Sequence, residues 1–287
     1  MTAVFKHELK SYFHSFTAYV FGAFLLAVVG IGSMLYNLQA AVSNFEYVLG
    51  FGSIVFVMIV PLLTMRIIAE ERRQKTDQLL YSLPITTTQV ILGKYFALLI
   101  VYLVPLAIIS LYPLIFSQFG DVYLPTSYGS LFAVFLMGAA LTALGVFISS
   151  LTDNQGLAAG IGVAVILFNY YSVSLSEYVS STSIGSLAAM AVLVFLLGAI
   201  IRYLTKNEIL AYGAVLILLA GISAAGIASP ELFEGLLPDI MRTLSLFERF
   251  NTFVSGVFDL TVIVYYLSVI VFFLFLSVQS LEKRRYN

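Results

Sequence analysis

The sequence predicts an all-α protein, a polytopic bundle of transmembrane helices, on three observations. Hydrophobic residues make up 61% of the 287 and charged residues only 10%, whereas about a quarter of a water-soluble domain is charged. Mean hydropathy is +1.01. Apolar runs long enough to cross roughly 30 Å of hydrocarbon occur at about 15–37, 48–68, 94–116, 129–151, 156–175, 184–202, 208–228 and 257–280. A net charge of −1 and the absence of cysteine argue against a nucleic-acid partner, a disulfide framework and a thiolate metal site.

Residues 1–14 interleave Val4, Phe5, Leu9, Tyr12 and Phe13 with Lys6, His7, Glu8 and Lys10, the pattern of a short amphipathic helix lying on the inner leaflet. His7 and His14 fall two turns apart, roughly 10 Å, too far to share one metal ion. The first run is longer than a signal-peptide core and lacks an A-x-A cleavage pattern, so it reads as a retained span.

The second run leads into the most charged stretch of the chain, residues 69–95. Arg66 and Glu70, Glu71 and Lys75, and Arg73 and Asp77 are spaced i,i+4, which suits a solvated helix carried out of the span. Thr76, Leu79, Leu80 and Leu83 add a narrow apolar stripe. Pro84 stops this helix near Leu83. Thr86, Thr87 or Thr88 caps the next one, which passes Gly93-Lys94 into the third span. The stripe has two readings, a loop lying on lipid or a ridge offered to a groove in a cytoplasmic protein.

In the fifth run, Gly156-x-x-x-Gly160 continued by Gly162 suits close helix packing or a dimer contact, and Asn169-Tyr170-Tyr171-Ser172 interrupts the apolar sequence. The sixth and seventh runs read as two spans or as one re-entrant unit. Ser229-Pro230-Glu231 marks a helix start on the outer side, and Pro238 interrupts it. Beyond, Ile240, Met241, Leu244, Phe247, Phe250 and Phe253 form an apolar stripe opposite Arg242, Glu248 and Arg249. This segment, 229–256, is either a helix pair on the outer leaflet or a lid or docking surface for an extracytoplasmic companion.

Basic residues near span ends stay cytoplasmic. With the N-terminus inside, Lys6, Lys10, Arg66, Arg72, Arg73, Lys75, Lys94, Arg202, Lys206, Lys283, Arg284 and Arg285 are cytoplasmic, twelve of the fourteen, and only Arg242 and Arg249 are outside. An even number of spans leaves both termini in the cytoplasm. Tyrosines near span ends, such as Tyr19, Tyr36 and Tyr95, serve as headgroup-level anchors. The middle of every run lacks Asp, Glu, Lys, Arg and His, which argues against ion-driven transport. The chain has no G-x-x-x-x-G-K-[ST] loop to cradle ATP, no H-E-x-x-H and no G-x-S-x-G, so a catalytic role is not expected.

Pro61-Leu-Leu-Thr-Met-Arg66, Glu70-Glu71, Thr76, Leu79-Leu80, Pro84 and Gln89-Val-Ile-Leu-Gly-Lys94 resemble the signature of ABC-transporter permeases of the GldF and NosY type, within the ABC-2 family. So do Lys6-His7-Glu8-Leu9 with Tyr19-Val20, Ile148-Ser149-Ser150-Leu151-Thr152-Asp153-Asn154-Gln155, and Gly256-Val257-Phe258-Asp259. Two positions depart from the pattern: Lys75 stands where the family has Gly, and Gln78 where it has Glu. The family has six spans, so the resemblance implies that residues 184–228 are a two-helix insertion in one permease domain, 1–287.

The resemblance further implies that residues 69–93 contain a coupling helix docked on a cytoplasmic ATP-binding subunit, with Glu70, Glu71, Arg72, Thr76, Leu79, Leu80 and Pro84 at the contact. ATP and Mg would be bound by that partner, present in two copies, and no cofactor by this chain. A second permease copy or homologue completes the assembly in a bacterial cytoplasmic membrane, and the family leans toward export. An auxiliary protein similar to GldG would meet the outer segment at Phe247, Phe250 and Phe253, and Asn169 and Tyr170 are the polar candidates for a pathway. A mechanotransmitting or scaffold subunit, which acts on an external partner and passes no substrate, is the alternative reading.

Overall fold

The computed structural model describes residues 1–76, 85–179, 181–205 and 208–285, and all regular structure among them is helical. The helices are α1 (Thr2–His14), α2 (Phe16–Ser33), α3 (Phe45–Gly52), α4 (Phe56–Thr64), α5 (Ala69–Gln74), α6 (Thr87–Ile109), α7 (Leu111–Phe116) and α8 (Leu124–Leu151). They continue as α9 (Gln155–Ser176), α10 (Ser183–Thr205), α11 (Glu208–Ala228), α12 (Leu236–Thr243), α13 (Leu246–Val254) and α14 (Leu260–Arg285).

Six stretches of the described chain are long and apolar enough to cross a membrane: Phe16–Gln39, Phe45–Gln74, Thr87–Phe116, Leu124–Leu151, Gln155–Ser176 and Leu260–Arg284. A seventh is added if Val215–Gly226 and Glu231–Thr243, bent through 115°, form one broken span. The eight expected runs all fall on helices, and among the described residues six stretches, or seven with the bent pair, are long and apolar enough to cross.

The chain divides into two compact units, Met1–Tyr170 with Arg249–Asn287, and Tyr171–Glu248. In the first, α8 is the axis: α14, α4, α6 and α3 all pack on it, and 83% of its apolar window is buried. Its run Gly138-Ala-Ala-Leu-Thr-Ala-Leu-Gly145 lets neighbours approach closely. A Cβ at Gly138 would fall 2.6 Å from Tyr102 Cε1, and one at Gly145 would fall 2.8 Å from Thr64 Cβ. The hydroxyl of Tyr102, itself buried, donates to the Val134 carbonyl at 2.7 Å. In the second unit α10 and α11 pack as a hairpin, and Arg242 Nε donates to Ser176 Oγ at 3.1 Å.

One local expectation is met. The Thr86 side chain caps α6 by accepting from Gln89 N, while the Gln89 side chain accepts from Thr86 N, a reciprocal capping box that satisfies two orphan donors. Asp259, in the last resemblance motif, accepts from Thr261 N at 2.7 Å at the start of α14. Hydrogen bonds from the Thr261 side chain and backbone hold its carboxyl below the usual carboxylate range.

Other expectations are corrected. Residues 169–172 do not break the fifth span, since α9 runs unbroken through them; hydroxyl and amide side chains are tolerated in a helix that meets its own backbone bonds. Pro238 does not interrupt the outer helix. It occupies the third position of α12, where a backbone N–H has no intrahelical acceptor to lose, and the break falls instead at Gly235, whose φ is +71°. Ser229 precedes the short 3₁₀ turn Pro230–Phe233 as expected, but its side chain makes no capping bond.

Candidate functional site

One end of the first unit carries a buried polar cluster around the segment that follows α4. The helical ladder lapses over Met65–Ile68, and a hydroxyl from α8 bridges the gap. Ser149 Oγ accepts from Ile68 N and Ala69 N at 3.2 Å each and donates to the Met65 carbonyl at 3.1 Å. Buried backbone groups at a helix break need such partners.

The hydrophilic helix is short. It ends at Gln74, where Lys75 adopts the left-handed conformation at φ +57°, so the expected continuous helix to Leu83 is corrected. Lys75 N donates to Arg72 O at 3.1 Å and Thr76 N to Glu71 O at 3.0 Å, the paired bonds of a Schellman cap. That conformation disfavours a residue with a Cβ by crowding it against a carbonyl oxygen, which gives a physical reason for Gly at this position in the resembling permeases. Lys75→Gly is therefore expected to raise stability by up to about 1 kcal/mol, read as a higher midpoint of thermal unfolding in detergent.

Lys94, 1% exposed, is the centre of the cluster. Its Nζ lies 2.6 Å from Glu8 Oε1 on α1, 2.6 Å from Glu71 Oε1 on α5 and 3.0 Å from the Ile67 carbonyl. Three ammonium hydrogens thus meet three acceptors, the condition under which a buried charge is tolerated. Gly93 beside it admits α1: a Cβ there would sit 3.2 Å from Val4 Cβ. The glycine lets the helix close and the lysine fastens it.

Arg72 is the second buried cation. Its Nη1 donates to the Ser150 carbonyl in the last turn of α8 and stands 3.9 Å from Asp153 Oδ1, placing positive charge at the negative end of that helix. Arg284 at the end of α14 pairs with Asp153 at 2.6 Å, and Ser280 Oγ donates to the same Ser150 carbonyl at 2.9 Å. Tyr12 OH donates to the Leu63 carbonyl at 3.0 Å, and burial pushes its phenol up from the usual value. The Arg66 guanidinium lies 4.5 Å from the Tyr12 ring centroid, a cation–π contact. The ends of α1, α5, α6, α8 and α14 therefore share one polar junction.

The expected contact residues divide. Glu71 and Arg72 turn inward and fasten the segment to the bundle. Glu70 accepts from Gln74 Nε2 at 3.2 Å, and Thr76 Oγ1 donates to Glu71 O at 3.3 Å. Arg73, Gln74, Lys75 and Thr76 are exposed. Leu79, Leu80 and Pro84 lie outside the described residues. Phe247, Phe250 and Phe253 are 5%, 0% and 3% exposed. Asn169 and Tyr170 are half-buried on α9.

Sequence reasoning used Lys94 for topology and did not see its burial, nor the roles of Glu8, Ser149, Ser150, Asp153 and Arg284. A signal was present: the separated motifs Lys6–Leu9, Pro61–Glu71, Gly93-Lys94 and Ile148–Gln155 meet at this junction. At the opposite end of the unit, buried Glu46 accepts from Thr126 Oγ1 and from Ser127 Oγ at 3.5 Å. It sits in the first turn of α3, where the helix dipole favours a carboxylate. No group of three or more metal-ligating side chains occurs among the described residues.

The family model described as ABC-2 family transporter protein matches residues 29–176, just over half of the chain. No curated protein matches it. The matched region runs from the end of α2 through α9 and includes Glu71, Lys94, Ser149 and Ser150 of the junction. The chain belongs to the ABC-2 family of transporter membrane proteins, and is a multi-pass, non-catalytic membrane subunit of the kind that works with an ATP-binding subunit.

Proposed function

We propose that this subunit couples the motion of two cytoplasmic ATP-binding subunits to the export of a substrate, with residues 69–93 as the coupling region. The observation that supports this reading most directly is the buried Lys94 junction. A push on α5 passes through Glu71 and Lys94 to α1 and α6, and through Arg72 and Ser150 to α8. Because both links run through cations that are themselves buried, Lys94 and Arg72, the helix ends move together, as a rocking transition requires. The exposed run Arg73–Thr76 is the surface this segment offers to a partner, and the leucine stripe at Leu79 and Leu80 continues it along the sequence.

The lysine and arginine bias supports a cytoplasmic position for this end, and α1, the junction and the end of α14 would share it. With α10 and α11 as two inserted crossings, eight spans keep both termini inside a bacterial cytoplasmic membrane; as one re-entrant hairpin they do the same with six. In the GldF and NosY type reading, a second permease copy completes the assembly. The exposed face of α9, with Leu157, Ile161 and Phe168, offers it an apolar surface.

Leu79→Asp with Leu80→Asp is expected to leave membrane insertion intact and to abolish association with the ATPase. Co-purification of the two subunits measures this, and undiminished recovery of the ATPase would reject the assignment of the stripe.

A further inference from the structure

We propose that α1 and α6 form a seat for one anionic phospholipid, with an acyl chain in the groove between them and the headgroup held by Lys6 and Lys10. The groove has a volume of about 530 Å³ and is lined by Thr2 and Phe5 of α1, Phe96, Ile100 and Leu103 of α6, and Phe135 of α8. Phe96, Ile100 and Leu103 are exposed along the apolar flank of a spanning helix. Such a slot beside a helix at headgroup level suits a hydrocarbon chain.

The choice of headgroup follows from how α1 distributes its side chains. At 100° per residue, Val4, Glu8 and Tyr12 share the face turned to the bundle. Phe5, Leu9 and Phe13 form the next strip, of which Phe5 lines the groove, and Lys6 and Lys10 lie beyond them. The exposures agree: Glu8 and Tyr12 are buried, Phe5, Leu9 and Phe13 half-buried, and Lys6 and Lys10 exposed. Glu8 is the only acid in α1, and Lys94 has taken it inward. The charge that remains outside is positive, with Lys6 adjoining the groove-lining Phe5 and Lys10 one turn further along the helix. An anionic headgroup above an acyl chain complements both features at once, and this holds whether or not the coupling assignment is correct.

The chain contains no tryptophan, so Phe96→Trp places a single fluorophore in the groove. The protein is reconstituted in phosphatidylcholine vesicles containing either phosphatidylglycerol or phosphatidylcholine with brominated acyl chains, at equal mole fraction. Quenching is expected to favour the brominated phosphatidylglycerol on the order of ten-fold in apparent affinity, the scale set by two surface lysines. Lys6→Gln with Lys10→Gln should erase the preference, and Lys6→Arg with Lys10→Arg should keep it. Equal quenching by the two lipids, or a preference that survives in the glutamine variant, would overturn the proposal. So would quenching by neither lipid, the result expected if a second copy of the chain closes the groove. Should the glutamine variant fail to fold, the comparison of the two lipids with the lysines intact still decides.

Discussion

Lys94→Met is expected to lower stability by about 3–5 kcal/mol, because it removes the cation shared by the buried Glu8 and the part-buried Glu71 carboxylates, at the cost characteristic of a broken buried pair. Glu8 and Glu71 both point at Nζ from 2.6 Å, and methionine fills similar volume without a donor. Thermal unfolding in detergent should show a midpoint lower by roughly 10 °C. The triple variant Glu8→Gln, Lys94→Met, Glu71→Gln separates stability from coupling. Removing all three charges together relieves the desolvation penalty and should recover most of the lost stability. It still severs the link from α5 to α1 and α6, so ATPase activity in the assembled complex should stop responding to the membrane subunit. A triple variant that is stable and fully coupled would show that the junction only holds the fold.

Gly145→Ala is expected to cost about 1–3 kcal/mol through overpacking. The added methyl would meet Thr64 Cβ at 2.8 Å and Thr64 Cγ2 at 2.9 Å, both on a helix whose position is fixed by the Ser149 and Arg72 bonds a turn beyond. Gly160→Ala is the control. It adds the same methyl to α9, where nothing lies within 4 Å, and helix propensity alone should make it neutral or stabilising by up to about 1 kcal/mol. Chemical unfolding of the pair measures the difference. Equal effects at the two sites would mean that α4 and α8 do not pack as closely as described.

Most of the architecture was legible because its signals are local. Apolar run length announced the helices, and the threonines at 86–88 announced the start of α6, though not that Thr86 and Gln89 cap it together. The Lys75 cap was hidden because a left-handed residue is read from glycine, and here a lysine occupies the position. Pro238 misled for a related reason: its effect depends on its distance from the helix start, which Gly235 sets. The junction was less legible still. Glu71 and Lys75 satisfy an i,i+4 pattern, yet the Glu71 carboxylate reaches Lys94, and only tertiary structure shows that. Gly156, Gly160 and Gly162 looked equivalent in sequence, but a Cβ at Gly162 would press on Pro61 at 3.0 Å while Gly160 faces open space.

The Lys94 junction also has a consequence for biogenesis. Glu8 and Lys94 are 86 residues apart, and Glu71 precedes Lys94 by 23, so both acids leave the ribosome before the base that neutralises them. The amino-terminal helix can be fastened only after the chain has been translated as far as the start of the third crossing. Until then its carboxylate stays hydrated, and the insertion machinery handles a helix not yet committed to its final place.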